Sequence, residues 1–352
     1  MKKYRIQPEK GLEFGLYTLG DHLPDPETGK RISAKQRLDE IIELAKLADE
    51  AGIDFMSVGE SHQDYFVTQA HTVVLSAIAQ ATEKMKIGSG STIISTLDPV
   101  RVYEDFATID LISNGRAEIV AGRASRVGNF ELLGYNLNNY EELFEEKFDL
   151  LLQLNEQEIV NWEGEYRAPL RDAKVLPRPL NGSIPIWRAV GGHPSSAVKA
   201  GHRGVPMFLA TLGGAAKLFK RTIDAYRTAL VESGYNPEDF PVATAGFFHV
   251  ADTTQQAQRE MYEYINKGMM KTNGRGYPKP HFAQGAHPHD VMNIGSTQEV
   301  IEKILYQHEL FGHQRYIAQM DFGGVPFSQL KRNIERIGKD ILPAIRKYTA
   351  QK

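Results

Sequence analysis

The sequence predicts an α/β fold: a single (β/α)8 TIM barrel over residues 1–352, with insertions after strands four and seven. Three observations lead there. Short β-rich runs alternate eight times with longer runs of helical period, the pattern of parallel βαβ units. Each unit receives about 44 residues, more than the ~30 that a bare βαβ motif requires. No shift in composition divides the chain, so eight units favour closure into a barrel over a doubly wound open sheet.

Residues 12–19 (LEFGLYTL) read as the first strand, and Ser33 opens a helix to Glu50 that carries Leu38, Ile41, Ile42, Ala45 and Ala48 on one face. Residues 54–58 form the second strand and 68–82 its helix. The third strand is predicted over 85–94, after which Asp98 and Pro99 supply an N-cap and a first-turn proline for a helix ending near Asn114 and Gly115. Residues 116–121 are the fourth strand, followed by a loop and an amphipathic helix over 139–154. The fifth strand is 184–190, with a helix from Pro194; the sixth is 205–210, with a helix over 215–233. The seventh is 242–250, with a helix over 254–267, and the eighth is 315–320, followed by a helix over 327–348. The surplus length falls in 156–181 and 268–295, which are rich in Gly, Pro and polar residues and weakly periodic; they read as insertions on the barrel.

Composition removes several function classes. The net charge is -3 with Lys and Arg scattered, so the chain has no electrostatic footprint for nucleic acid. There are no cysteines, hence no thiolate nucleophile, zinc knuckle or dithiol redox chemistry, and any redox role needs a borrowed cofactor. No apolar stretch approaches the ~18 residues of a membrane span, and the N-terminus lacks the apolar core of a signal peptide. No membrane association and a cytoplasmic location are the simplest expectation.

In a barrel of this kind the active site lies at the C-terminal ends of the strands. Strand two ends in Gly59-Glu60-Ser61-His62. Its plain reading is an ion pair and a satisfied histidine; its functional reading is a proton-handling His whose tautomer a carboxylate fixes. Strand four delivers Arg123 and Ser125 beside Gly122, a glycine that lets something approach the backbone. Strand five ends in Gly191-Gly192-His193-Pro194-Ser195-Ser196, where free N–H groups at a helix start and two hydroxyls suit an anion, with Arg123 completing the site. Plain N-capping is the alternative. Other motifs fail: His308 and His313 are five apart, so on one helix they diverge by about 140°. His281, His287 and His289 fall in an insertion, and no phosphate-loop, dinucleotide or nucleophile-elbow motif is present.

These residues resemble the bacterial luciferase-like, flavin-dependent oxidoreductases, most closely over 52–62, 85–123, 184–210 and 319–324. The resemblance implies a barrel that binds reduced FMN at its C-terminal mouth, the phosphate falling to Arg123, Gly192, His193 and Ser196, with Ser125 and Gly191 alongside. It implies Glu60, Ser61 and His62 as the catalytic set. Two positions depart from the family pattern. Its second strand usually ends Glu-His-His, but here the first His is Ser61, which cannot act as a base near pH 7 and argues against luciferase-type aldehyde oxidation. Ala124 stands where a glycine commonly follows the arginine.

The expected function is an FMN-dependent monooxygenase acting with oxygen on a small organic substrate, its flavin reduced by a separate reductase because the chain shows no nicotinamide-binding fingerprint. The alternatives are a deazaflavin-dependent dehydrogenase on the same barrel and a flavin-binding protein without turnover. No metal is expected. A homodimer is expected through the second and third helices, on the strength of Val73, Val74, Ile78, Val102, Phe106 and Ile109.

Overall fold

The computed structural model describes residues 1–191 and 193–351. In chain order the elements are β1 (Glu13–Thr18), α1 (Ala34–Glu50), β2 (Phe55–Val58), α2 (His71–Ala81), β3 (Lys86–Ser89), β4 (Thr92–Ile93), α3 (Pro99–Ile112), β5 (Ala117–Gly122), α4 (Gly128–Leu132) and α5 (Tyr140–Glu156). There follow β6 (Ile159–Trp162), β7 (Leu170–Lys174), β8 (Ile186–Val190), α6 (Pro194–His202), β9 (Met207–Ala210), α7 (Ala216–Glu232) and β10 (Val242–Ala251). The chain ends with α8 (Thr254–Asn273), α9 (Lys279–Gln284), β11 (Asn293–Ser296), α10 (Thr297–Phe311), β12 (Arg315–Gln319), α11 (Phe327–Arg336) and α12 (Leu342–Thr349).

Eight parallel strands close on themselves in the order β1, β2, β3, β5, β8, β9, β10, β12, with β12 returning to β1 through the pairing of Glu13 with Arg315. The predicted (β/α)8 barrel is therefore the observed fold. Its interior is filled by Phe55, Val120, Trp187, Phe208, Ala245 and Ile317, and Tyr4 and Ile6 pack against that cluster. The Phe55 ring needs room: a Cβ at Gly88 would lie 3.0 Å from it and 2.8 Å from the Glu118 carbonyl oxygen, so strand β3 carries glycine there. The larger core is the annulus between strands and helices, where the apolar faces of α1, α3 and α5 bury Ile41, Phe106 and Phe148.

Below the cluster, charged residues at the starts of four strands form a closed network. Arg315 donates from Nε to Glu13 (2.8 Å) and from both terminal nitrogens to Glu118 (2.8 and 3.0 Å). Lys86 bonds Glu13, and the Trp187 indole donates to Glu118 at 2.9 Å. Burial alone would raise the Glu118 carboxyl, but Arg315 holds it below the usual carboxylate range.

Several sequence expectations need correction. The third strand is not continuous over 85–94: it breaks at Gly90-Ser91, and β4 then pairs with the far end of β5, Thr92 beside Ala121. The second helix begins at His71, with no side-chain cap; the buried Thr68 hydroxyl instead shares its hydrogen between the Leu19 and Gly59 carbonyls. The last helix is split by a π-helical turn, Ile337–Ile341, just before Pro343, which has no N–H to continue the regular ladder. Residues 156–181 contain the antiparallel hairpin β6–β7, invisible to periodicity because of its nine strand residues only Val160 is buried. Helix α8 continues six residues past Lys267, and α10 went unread although Ser296 and Glu299 form its capping box.

Two other expectations change. Of the six residues proposed for a dimer contact, Ile78, Val102, Phe106 and Ile109 are buried in this chain's own core and Val74 is half-buried; Val73, 68% exposed, is what remains. His313 lies beyond the end of α10, after Gly312 in a left-handed turn, and its carbonyl bonds the His308 ring at 2.9 Å. The helical divergence argument for that pair therefore does not apply. His281, His287 and His289 are exposed. Among the described residues, no helix is long and apolar enough to cross a membrane.

Candidate functional site at the barrel mouth

The C-terminal ends of the strands surround a cavity of about 420 Å³, within the usual range for small-molecule and cofactor sites. Tyr17, Gly90, Ser91, Gly122, Arg123, Ser125, Arg126, Gly191 and Gln319 line it from the strand ends and the loops after them. Phe208, Ala245, Phe247 and Phe322 supply an apolar wall, and the end of α8 adds Met269, Thr272 and Asn273. Burial raises the Tyr17 phenol well above its ordinary value, so it remains a hydrogen-bond donor.

Arg123 leaves β5 at the rim. Its guanidinium donates to the Ser196 hydroxyl at 3.0 Å and to Glu141 of α5 at 2.6 Å. The predicted meeting of Arg123 with the helix start after the fifth barrel strand is thus present. That helix, α6, begins at Pro194 as expected, but its cap is His193, whose Nδ1 accepts from the Ser195 N–H at 3.3 Å and from its hydroxyl at 2.8 Å. A Cβ at Gly191 would meet nothing within 4 Å, so the backbone there borders open space. Gly192 lies outside the described residues. Gly122 has a different reason from the one expected: a Cβ there would overlap Ser91 Oγ of the same chain.

Glu60 and Ser61 line a smaller recess of about 50 Å³ that shares Tyr17, Gly90, Ser91, Ser125 and Arg126 with the main cavity; His62 does not line it and is tied to it through Glu60. The buried Glu60 carboxylate accepts from His62 Nε2 at 2.7 Å and from the Ile93 N–H at 2.7 Å. This fixes both its oxygens and orients the imidazole. Ser61 turns its hydroxyl to Gln63 at 2.8 Å. Sequence reasoning missed His71, which lies 3.9 Å from Glu60, bonds Thr92 at 2.8 Å and is kept neutral by burial. It also missed Arg188, whose Nε reaches Ser196 at 3.4 Å from inside β8, and Lys199, one turn into α6. Neither follows a strand end.

Ala124 adopts φ 98°, a conformation that favours glycine, at the position where the resemblance expects one. The strain is local. Ala124→Gly should stabilise the protein by on the order of 1 kcal/mol, seen as a rise of about 1–3 °C in the thermal midpoint. A lower midpoint would mean that the loop relaxes around the methyl group.

A closed parallel barrel with its cavity and polar groups gathered at one mouth has the layout of a TIM-barrel enzyme. Residues 12–314 match the luciferase-like monooxygenase family, and the chain belongs to it. Among its relatives is the oxygenase component of a flavin-dependent trigonelline monooxygenase from Acinetobacter baylyi, 24% identical with 95% of each chain covered. Another is an F420-dependent glucose-6-phosphate dehydrogenase from Amycolatopsis mediterranei, 29% identical over 55% of this chain and 60% of that one. The fold is similar to that of the monooxygenase RslO1 from Streptomyces bottropensis, with TM-score 0.82, 22% identity and 94% and 99% of the two chains covered. It is also similar to the oxygenating constituent of 3,6-diketocamphane monooxygenase from Pseudomonas putida in complex with FMN, with TM-score 0.75, 20% identity and coverage of 95% and 98%. The relatives of this chain thus include a flavin-dependent monooxygenase component and an F420-dependent dehydrogenase.

Proposed function

We propose that this protein is an FMN-dependent monooxygenase that takes flavin reduced by a separate reductase and uses molecular oxygen on a small organic substrate. The observation that carries the reading is the convergence of Arg123 and Ser196 at the edge of a cofactor-sized cavity. The donor set fits a phosphorylated flavin: Arg123, the Ser196 hydroxyl and the backbone around Gly191 and His193 suit the phosphate, with Ser125 nearby. When bound, the flavin supplies the redox chemistry that a chain without cysteine lacks. The protein's own residues bind, orient and exclude water: Phe208, Phe247 and Phe322 keep one wall dry, and Glu60 holds the His62 imidazole in one orientation at the recess. Ser61 serves as a hydrogen-bonding group there and not as a base. The oxygenase-component name of the trigonelline relative supports a reductase partner. We also propose a homodimer, without the helix contact first expected.

Titrating pure protein with FMN, riboflavin and a deazaflavin, then following oxygen uptake with the reduced cofactors, tests the reading. FMN binding far tighter than riboflavin, with oxygen consumed, is the expected result. Preference for the deazaflavin without oxygen uptake would replace it with the dehydrogenase reading, and FMN binding without oxygen uptake would make the protein a flavin carrier. A monomeric mass in light scattering would remove the dimer.

A further inference from the structure

Helix α5 presents three carboxylates one turn apart, Glu141, Glu145 and Asp149, to cations from β5, β8 and α6. Two are saturated. Glu145 receives both terminal nitrogens of Arg188 (3.0 and 2.7 Å) together with Lys199 (3.0 Å) and Arg203 (3.1 Å). Partial burial would raise its carboxyl, yet these cations hold it down at about 2. Asp149 takes two nitrogens of Arg203. Glu141 differs. It is about as exposed as Asp149, 46% against 45%, but it divides its two oxygens between two cations, Arg123 at 2.6 Å and Lys199 at 3.2 Å. Of the cations paired with this row, Arg123 alone lines the cavity.

The donors that an incoming phosphate needs are therefore already engaged by an anion. The Arg123 terminal nitrogen not given to Ser196 is bonded to Glu141, and so is Lys199, which stands one helical turn from Ser195 and Ser196. A carboxylate carries a single negative charge and presents two oxygens. A phosphate monoester at pH 7 carries about -1.5 to -2 and presents three, and it gains more from the same two cations. Glu141, half in water, loses little when it swings out.

We propose that Glu141 is an internal stand-in for the cofactor phosphate, occupying its place on Arg123 and Lys199 until a phosphorylated ligand displaces it. The inference rests on the FMN reading and adds two residues to it. Lys199 becomes the second cation of the phosphate site, and Glu141 becomes the residue that sets how much charge a ligand must carry to enter. Riboflavin brings no charge, so it leaves Glu141 in place.

Dissociation constants for FMN and riboflavin, measured by fluorescence quenching on the full-length protein and on Glu141→Gln, test the proposal. The glutamine variant should bind FMN at least tenfold more tightly and riboflavin within twofold of the parent. Glu141→Asp, which draws the carboxylate back by one methylene, should fall between them and serves alone if the glutamine variant does not fold. Unchanged or weaker FMN binding in the variants overturns the proposal, since it would make Glu141 a support for Arg123 and not its competitor. Inorganic phosphate separates the two readings. If neither protein binds FMN, yet phosphate raises the thermal midpoint of Glu141→Gln more than that of the parent, the stand-in is upheld and the FMN assignment falls. If phosphate affects both proteins equally, the stand-in falls as well.

Discussion

Arg123→Ala should weaken FMN binding by on the order of 2–4 kcal/mol while leaving riboflavin nearly unchanged. The arginine is a charged donor at the cavity edge, bonded to Ser196 on one side and Glu141 on the other, and on the FMN reading removing it strips the phosphate of a charged partner. The same change leaves Glu141 held by Lys199 alone, so part of the loss is repulsion between that carboxylate and the phosphate. The double variant Arg123→Ala/Glu141→Gln should accordingly bind FMN better than Arg123→Ala alone, and the four constants give the coupling between the two residues. Equal weakening of riboflavin and FMN by Arg123→Ala would mean that the arginine holds the mouth together through Tyr140 and Phe144, which its guanidinium faces at 5.9 and 5.5 Å, and the phosphate assignment would be wrong.

Arg315→Met at the opposite end of the barrel should cost about 3–5 kcal/mol of folding stability, because it leaves buried carboxylates without their counter-charge. Glu118 is fully buried and loses both guanidinium bonds, keeping the Trp187 indole; Glu13 retains Lys86. The pH dependence has a definite sign. In the parent, Glu118 lies below its ordinary value, so its contribution is present above the unfolded-state value and is lost as pH falls. In the variant, burial without Arg315 pushes the Glu118 carboxyl up, the native state retains a proton that the unfolded chain releases, and stability should fall as pH rises. Pairing Arg315→Met with Glu118→Leu removes one charge of each sign and should recover much of the loss. Chemical denaturation of the three proteins at pH 5 and pH 8 measures this. A single variant as stable as the parent at pH 8 would mean that water reaches the network.

The barrel was legible because its strands are buried and its helices amphipathic, so both periods survive in the sequence. Where an element buries little, as in the hairpin carrying Asn161 and Asp172, no period exists to be read. The broken third strand was hidden for the opposite reason: nearly all its residues on both sides of Gly90-Ser91 are buried, and only the pairing of Thr92 with Ala121 reveals the step. At the site, Arg123, Glu60 and the start of α6 were legible because they follow strand ends. Glu141, Lys199 and His71 were not, because they lie within helices and join the mouth only through tertiary packing. Their sequence surroundings look like ordinary solvated or core-facing helix positions.

The extension of α8 past Lys267 carries Met269, Thr272 and Asn273 onto the cavity wall. These three side chains belong to no strand of the barrel and share no residue with the charged network beneath it. A change at any of them alters the cavity wall while leaving the strand pairings and the donors at Arg123 in place. Met269 packs on the core and meets the Asn273 amide at 3.3 Å, so those two positions vary as a pair, and this part of the mouth takes its shape from one helix end.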